Sequence, residues 1–122
     1  MNIVQTAEYF KEYLLGIYPC KFPFELFVIY KKPRTRMGVY IHNPDKHRIR
    51  IYSKWRSVCP LEEIAIHEYA HHIHETEKGG IFGRGASKSH GEIFWRIYSA
   101  LMARAQIKGC YHDELIEDIL TK

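Results

Sequence analysis

A chain of 122 residues, 46% hydrophobic and 26% charged, has the size and composition of one globular domain with a buried core, so a single domain over residues 1–122 is expected. It has no run of 18 or more apolar residues and no basic segment leading into an apolar stretch at its start, which argues against a spanning helix, a secretory signal and a membrane partner. The net charge of +4 is modest but uneven, because residues 31–56 hold nine Lys and Arg against one Asp.

Such a stretch is an electrostatic footprint for a polyanion. Lys31, Lys32, Arg34, Arg36, Arg48, Arg50, Lys54 and Arg56 are therefore candidate nucleic-acid contacts, with DNA as the partner considered. The competing reading is a solvated sheet edge, where Lys and Arg discourage strand-to-strand aggregation. Cys20, Cys59 and Cys110 form no CxxC pair, so neither a disulfide framework nor a cysteine zinc ribbon is expected. A reducing, cytoplasmic setting is the default.

In chain order, residues 5–16 (QTAEYFKEYLLG) set Ala7, Phe10 and Leu14 at helical spacing with Ile17, and Gly16 and Pro19 stop the run. ELFVIY (25–30) and MGVYIH (37–42) read as strands, and NPDKH (43–47) as a turn. RIRIYS (48–53) alternates, with Ile49 and Ile51 on one face and Arg48, Arg50 and Tyr52 on the other. A helix is expected from about Pro60, with Glu62 and Glu63 in its first turn, to residue 77 before Gly79-Gly80. GGIFGRGASKS (79–89) is a glycine-rich loop, either a connector or a rim over a cleft. A helix over residues 90–106 is apolar nearly all round and expected to be buried, and a short helix over 112–120 closes the chain. The expected class is α+β: an N-terminal helix, a small three-stranded, mainly antiparallel sheet, and three further helices.

Five of the eight histidines lie between residues 67 and 96. His67-Glu68-Tyr69-Ala70-His71 is HExxH, which this composition yields by chance in roughly one such chain in twenty. Its context adds weight. Ile66, Tyr69, Ala70 and Ile73 fall on one side of the wheel, and His67, Glu68 and His71 on the other. Histidines four apart are neighbours on a helix, so both imidazoles can reach one zinc ion, with Glu68 beside them. His74 lies about 10.5 Å along the axis from His67 and His72 points elsewhere, so both are expected to be exposed.

A catalytic zinc needs a third protein ligand and an open position. His90 and Glu92 are the candidates. Ser89-His90-Gly91-Glu92 fits a capping box, which gives Glu92 a structural task and sets His90 at the first helical position, where it can reach across.

At these residues the chain resembles the SprT-like metallopeptidases, the group that includes the SprT and Spartan proteins. That family pairs HExxH with a later HGxxF, and here HEYAH (67–71) is followed by His90-Gly91-Glu92-Ile93-Phe94. The resemblance covers roughly residues 37–102. It implies a zincin-like fold with an HExxH active-site helix and a second ligand-bearing helix, one zinc ion held by His67, His71 and His90, and Glu68 as general base. It also implies cleavage of protein or peptide substrates, including proteins on DNA. The ImmA/IrrE-like peptidases are a second resemblance, through HEYAHHIH. They imply a partner-specific regulatory protease with a later acidic ligand, a position Glu92 would take. The remaining alternative is a zinc-containing DNA-binding domain without turnover.

Overall fold

The computed structural model describes residues 3–30, 38–42, 46–53, 61–78 and 90–106. Helix α1 (Ile3–Ile17) runs through Gly16, and the Tyr18 N–H still bonds the Leu14 carbonyl at 3.1 Å. Pro19 is therefore the effective stop. It has no N–H to continue the ladder, and it disfavours helical geometry at the residue before it. Phe10, Leu14 and Ile17 form the buried stripe that the spacing predicts.

Strands β1 (Glu25–Ile29), β2 (Gly38–His42) and β3 (His47–Tyr52) make one sheet in the order β1-β3-β2. The expected mainly antiparallel sheet is corrected to a mixed one: β3 is antiparallel to β2 but parallel to β1. The reason is topological. After β1 the chain moves to the far edge for β2, then turns back, so β3 fills the gap and runs in the direction of β1. Pairing puts Leu26 opposite Ile49 and Val28 opposite Ile51, and all four are buried. This is the two-residue alternation expected of a sheet with one covered face.

Helix α2 (Leu61–Glu77) packs on β2 and β3, and α1 packs on β1. Helix α3 (Glu92–Gln106) packs on α2 and makes a smaller contact with α1. It was expected to be buried all round, yet only one side is. Phe94, Ile97, Ala100 and Leu101 are buried, while Glu92, Trp95, Arg96 and Ser99 are exposed. A helix that meets its neighbours from one side needs only one apolar stripe. No helix among the described residues is long and apolar enough to cross a membrane. The expected turn residues 43–45, the loop 79–89 and the helix 112–120 lie outside the described residues.

The link between α1 and β1 is fastened to α2 by polar side chains. Tyr69, with no exposed surface, donates its hydroxyl proton to the Tyr18 carbonyl and accepts the Cys20 N–H at 3.3 Å. Glu77 accepts from the Tyr18 hydroxyl at 2.6 Å and from the Lys21 N–H at 3.1 Å. Burial raises the Tyr69 phenol far above its usual range, so it stays a neutral donor. Tyr69→Phe keeps the ring and leaves two backbone groups without their partner. It is expected to lower unfolding stability by about 1–3 kcal/mol, read from the guanidinium midpoint, and an unchanged midpoint would remove the clamp from the account.

Candidate metal centre

The buried stripe of α2, with Ile66, Tyr69, Ala70 and Ile73 each no more than 2% exposed, fixes the helix's rotation against the core. That rotation leaves His67 and His71 half-buried on the other side, one turn apart, with ring centroids 5.2 Å from each other. The third imidazole comes from the turn ahead of α3. The Gly91 carbonyl accepts the Trp95 N–H at 3.1 Å, so Gly91 stands at the cap and His90 lies just outside the helix. This corrects the expectation that His90 is the first helical residue. Ser89, its expected cap, lies outside the described residues.

The three rings converge. His71 Nε2 is 3.1 Å from His90 Nε2, His90 Nε2 is 3.3 Å from His67 Nε2, and all three ligand nitrogens lie within 4.8 Å of one another. A neutral imidazole carries a single N–H, so His90 Nε2 can donate to only one of its two neighbours. A cation among the three satisfies every lone pair at once. Two nitrogens bound to a tetrahedral zinc at 2.0–2.1 Å stand roughly 3.3–3.4 Å apart, so the donor set and its spacing fit that ion.

Electrostatics keep these groups ready as ligands. The His71 imidazole is pushed down to about 3, first by burial and then by repulsion from His67, His90 and His74. Burial and the neighbouring His90 also lower His67, while the charge of Glu63 pulls the other way. Both rings are therefore neutral near pH 7, each with a lone pair to offer.

Phe94 is the floor of the site. It has no exposed surface, and its ring centroid lies 4.3 Å from that of His71, 4.9 Å from His90 and 5.1 Å from His67. Trp95, 46% exposed, forms the outer rim at 5.9 Å from His90 and 6.2 Å from His67. Glu68 is 6% exposed. It sits where β2 approaches α2: a Cβ on Gly38 would stand 3.0 Å from Glu68 Cγ and 2.9 Å from Ile64 Cγ2. Only a residue without a side chain lets the strand come so close there.

Other expected site residues fall elsewhere. Glu92 is exposed and is not part of the histidine group. His72 and His74, expected to be exposed, are instead 0% and 2% exposed. His72 is buried because its polar atoms are matched. Its Nε2 meets the Phe22 carbonyl at 2.8 Å and its Nδ1 meets the Tyr40 hydroxyl at 3.3 Å, while Tyr40 is also 2.7 Å from His47 Nδ1. With His72 neutral, one proton arrangement serves all four groups: His72 donates to Phe22, Tyr40 to His72, and His47 to Tyr40. His74 Nε2, by contrast, is buried without a hydrogen-bond partner.

Among the basic candidates, Arg48 pairs with Glu25 across the strands at 3.3 Å, and Arg50 occupies the next outward position of β3. β3 is the central strand, so the sheet-edge reading does not apply to these two. Lys31, Lys32, Arg34, Arg36, Lys54 and Arg56 lie outside the described residues. The sequence reading gave no role to Phe94 beyond its motif letter and missed Trp95, Tyr98 and the nearness of Glu63 to His67. The signal was present at four-residue spacing, His90 to Phe94 and Glu63 to His67.

No family model, curated protein or solved structure matches the chain. The site's own chemistry therefore carries the functional argument.

Two outcomes are expected. His90→Ala should lose at least about 100-fold in zinc affinity by chelator competition, whereas Glu92→Ala should bind as the parent does. The reverse pattern would transfer the third ligand to Glu92. Burial lowers the pKa of His74, with Glu75 opposing, while an unfolded histidine titrates near 6.5. Below about pH 6.5 the unfolded chain takes up a proton that the folded chain resists, so stability present above that pH is lost as pH falls. His74→Leu should make the metal-free chain's guanidinium midpoint fall less between about pH 7 and about pH 5. Parallel pH profiles for the two proteins would contradict this.

Proposed function

We propose that the chain is a minimal zinc-dependent endopeptidase of zincin-like fold, similar to the SprT-like metallopeptidases. The observation that carries this reading is the meeting of three imidazole nitrogens, from HExxH and from the HGxxF turn.

Three protein ligands are the count of a catalytic zinc, since closed structural sites use four. No fourth donor joins the group among the described residues. An all-imidazole set suits several transition metals, and zinc is favoured for hydrolysis because it needs no redox partner. His67, His71 and His90 would hold the ion. When bound, zinc supplies a Lewis acid that polarises the scissile carbonyl and makes water more acidic.

The remaining chemistry belongs to the chain. Glu68 accepts a proton from the attacking water at its carboxylate and passes it to the amine nitrogen as the C–N bond breaks. Its mostly buried position shields it from competing solvent. Gly38 and Ile64 limit where it can swing. Phe94 packs against all three rings, which restrains their orientation without the ion. Trp95 offers an exposed aromatic wall to a protein or peptide substrate.

A DNA-associated setting rests on the basic stretch 31–56. Binding through it would neutralise phosphates and weaken steeply with added salt.

The test is cleavage of an unstructured protein by the zinc-loaded chain, with and without single-stranded DNA. Glu68→Gln is expected to retain its zinc and lose about 100- to 10,000-fold in turnover. Full activity in that variant would end the assignment. Stimulation by DNA would support the DNA-associated setting, and equal rates with and without it would remove DNA from the reading.

A further inference from the structure

Each of the three histidines has a second ring nitrogen, and His67 stands beside the Tyr98 ring, one turn after Glu63. His67 presents Nε2 to His90, so its Nδ1 lies on the opposite side of the ring. Helical side chains lean toward the N-terminus of their helix, and a residue four positions earlier lies directly above on the same face. For His67 that residue is Glu63.

Glu63 does not hang free at the helix start. Its Oε1 accepts the Tyr98 hydroxyl proton at 3.0 Å in a part-buried contact reaching across from α3. The Tyr98 ring in turn stands against His67, with centroids 5.6 Å apart and planes nearly perpendicular. Tyr98 thus touches the imidazole with its ring and holds the carboxylate with its hydroxyl. The charge of Glu63 raises the His67 pKa, against the larger lowering by burial and His90. Tyr98 therefore joins Glu63, one turn before His67 on the same helix face, to the His67 ring.

We propose that Glu63, held by Tyr98, is the positioning carboxylate of His67: it accepts the Nδ1–H, so that Nε2 keeps its lone pair and aims it at the metal. The inference rests on the metal-centre reading and extends it by one shell. A neutral imidazole can carry its proton on either nitrogen, and with the proton on Nε2 His67 could not be a ligand. A carboxylate at Nδ1 selects the useful tautomer, fixes the ring plane and makes Nε2 a stronger donor. Tyr98 then has a defined task. Its bond keeps Glu63 from swinging into solvent, where α2's first turn would otherwise let it go.

Zinc affinity by chelator competition tests this without any turnover assay, and the visible absorption of the cobalt-substituted chain reports ligand geometry. Glu63→Ala should bind zinc about 10- to 100-fold more weakly and shift the cobalt bands, because the Nδ1–H loses its acceptor. Glu63→Gln keeps an acceptor oxygen but not the charge, so its loss should be intermediate. Tyr98→Phe removes only the brace and should cost less than Glu63→Ala. Circular dichroism and melting of each metal-free variant separate a folding defect from a binding defect, and Glu63→Gln is the variant that keeps the carboxyl shape if Glu63→Ala unfolds.

Zinc affinity in Glu63→Ala equal to that of the parent would overturn the proposal. So would equal losses in Tyr98→Phe and Glu63→Ala with unshifted cobalt bands, since that pattern marks the pair as a helix-to-helix tie. Failure of the underlying reading looks different. In that case the parent chain and His90→Ala would bind zinc equally poorly, and the Glu63 variants would have nothing to change.

Discussion

The two-sidedness of α2 is the constraint on which the rest depends. A single 17-residue helix must bury Ile66, Tyr69, Ala70 and Ile73 in the core while leaving His67 and His71 half-buried on its other side, with Glu68 buried near β2. Fully burying each large apolar side chain contributes roughly 1.5–3 kcal/mol, so the helix cannot roll about its axis without a large loss. The candidate site is therefore held in place by apolar side chains on the opposite side of the helix. The Tyr69 hydroxyl adds a second restraint by tying the same helix to the backbone of the α1–β1 link.

Much of this was legible in the sequence because it follows from periodicity. The spacing of Phe10, Leu14 and Ile17 and the alternation of Ile49 and Ile51 with Arg48 and Arg50 are local patterns, and the structure keeps them, whereas the polar side of α2 is more buried than its wheel suggests. His67, His71 and His90 lie close together, the three that the resemblance names, while the residues alone left His90 and Glu92 both open. What was not legible needed partners remote in sequence. The parallel pairing of β1 with β3 depends on where β2 goes, which no strand pattern encodes. His72 reads as a polar residue on a helix, and only the Phe22 carbonyl and Tyr40, 50 and 32 positions away, make its burial tolerable. The one-sided burial of α3 is not encoded in its apolar content, because it depends on which side α2 and α1 pack among the described residues.

His74 is a different case. Its buried Nε2 has no hydrogen-bond partner, a state that costs on the order of 1–3 kcal/mol relative to a matched group. An apolar residue would serve the core better at that position.

The histidines and the carboxylate are supported by different parts of the molecule. His67, His71, His90 and the Phe94 floor all come from α2 and the start of α3. The surroundings of Glu68 include β2, through a glycine set in register opposite Ile51. Sliding β2 by one residue would replace Gly38 there with a bulky side chain while leaving the three nitrogens where they are. A misassembled sheet would therefore go undetected by any assay of metal content. Fractions of a preparation with identical zinc stoichiometry could differ widely in how well the base is placed, and occupancy would be a poor measure of the competent population.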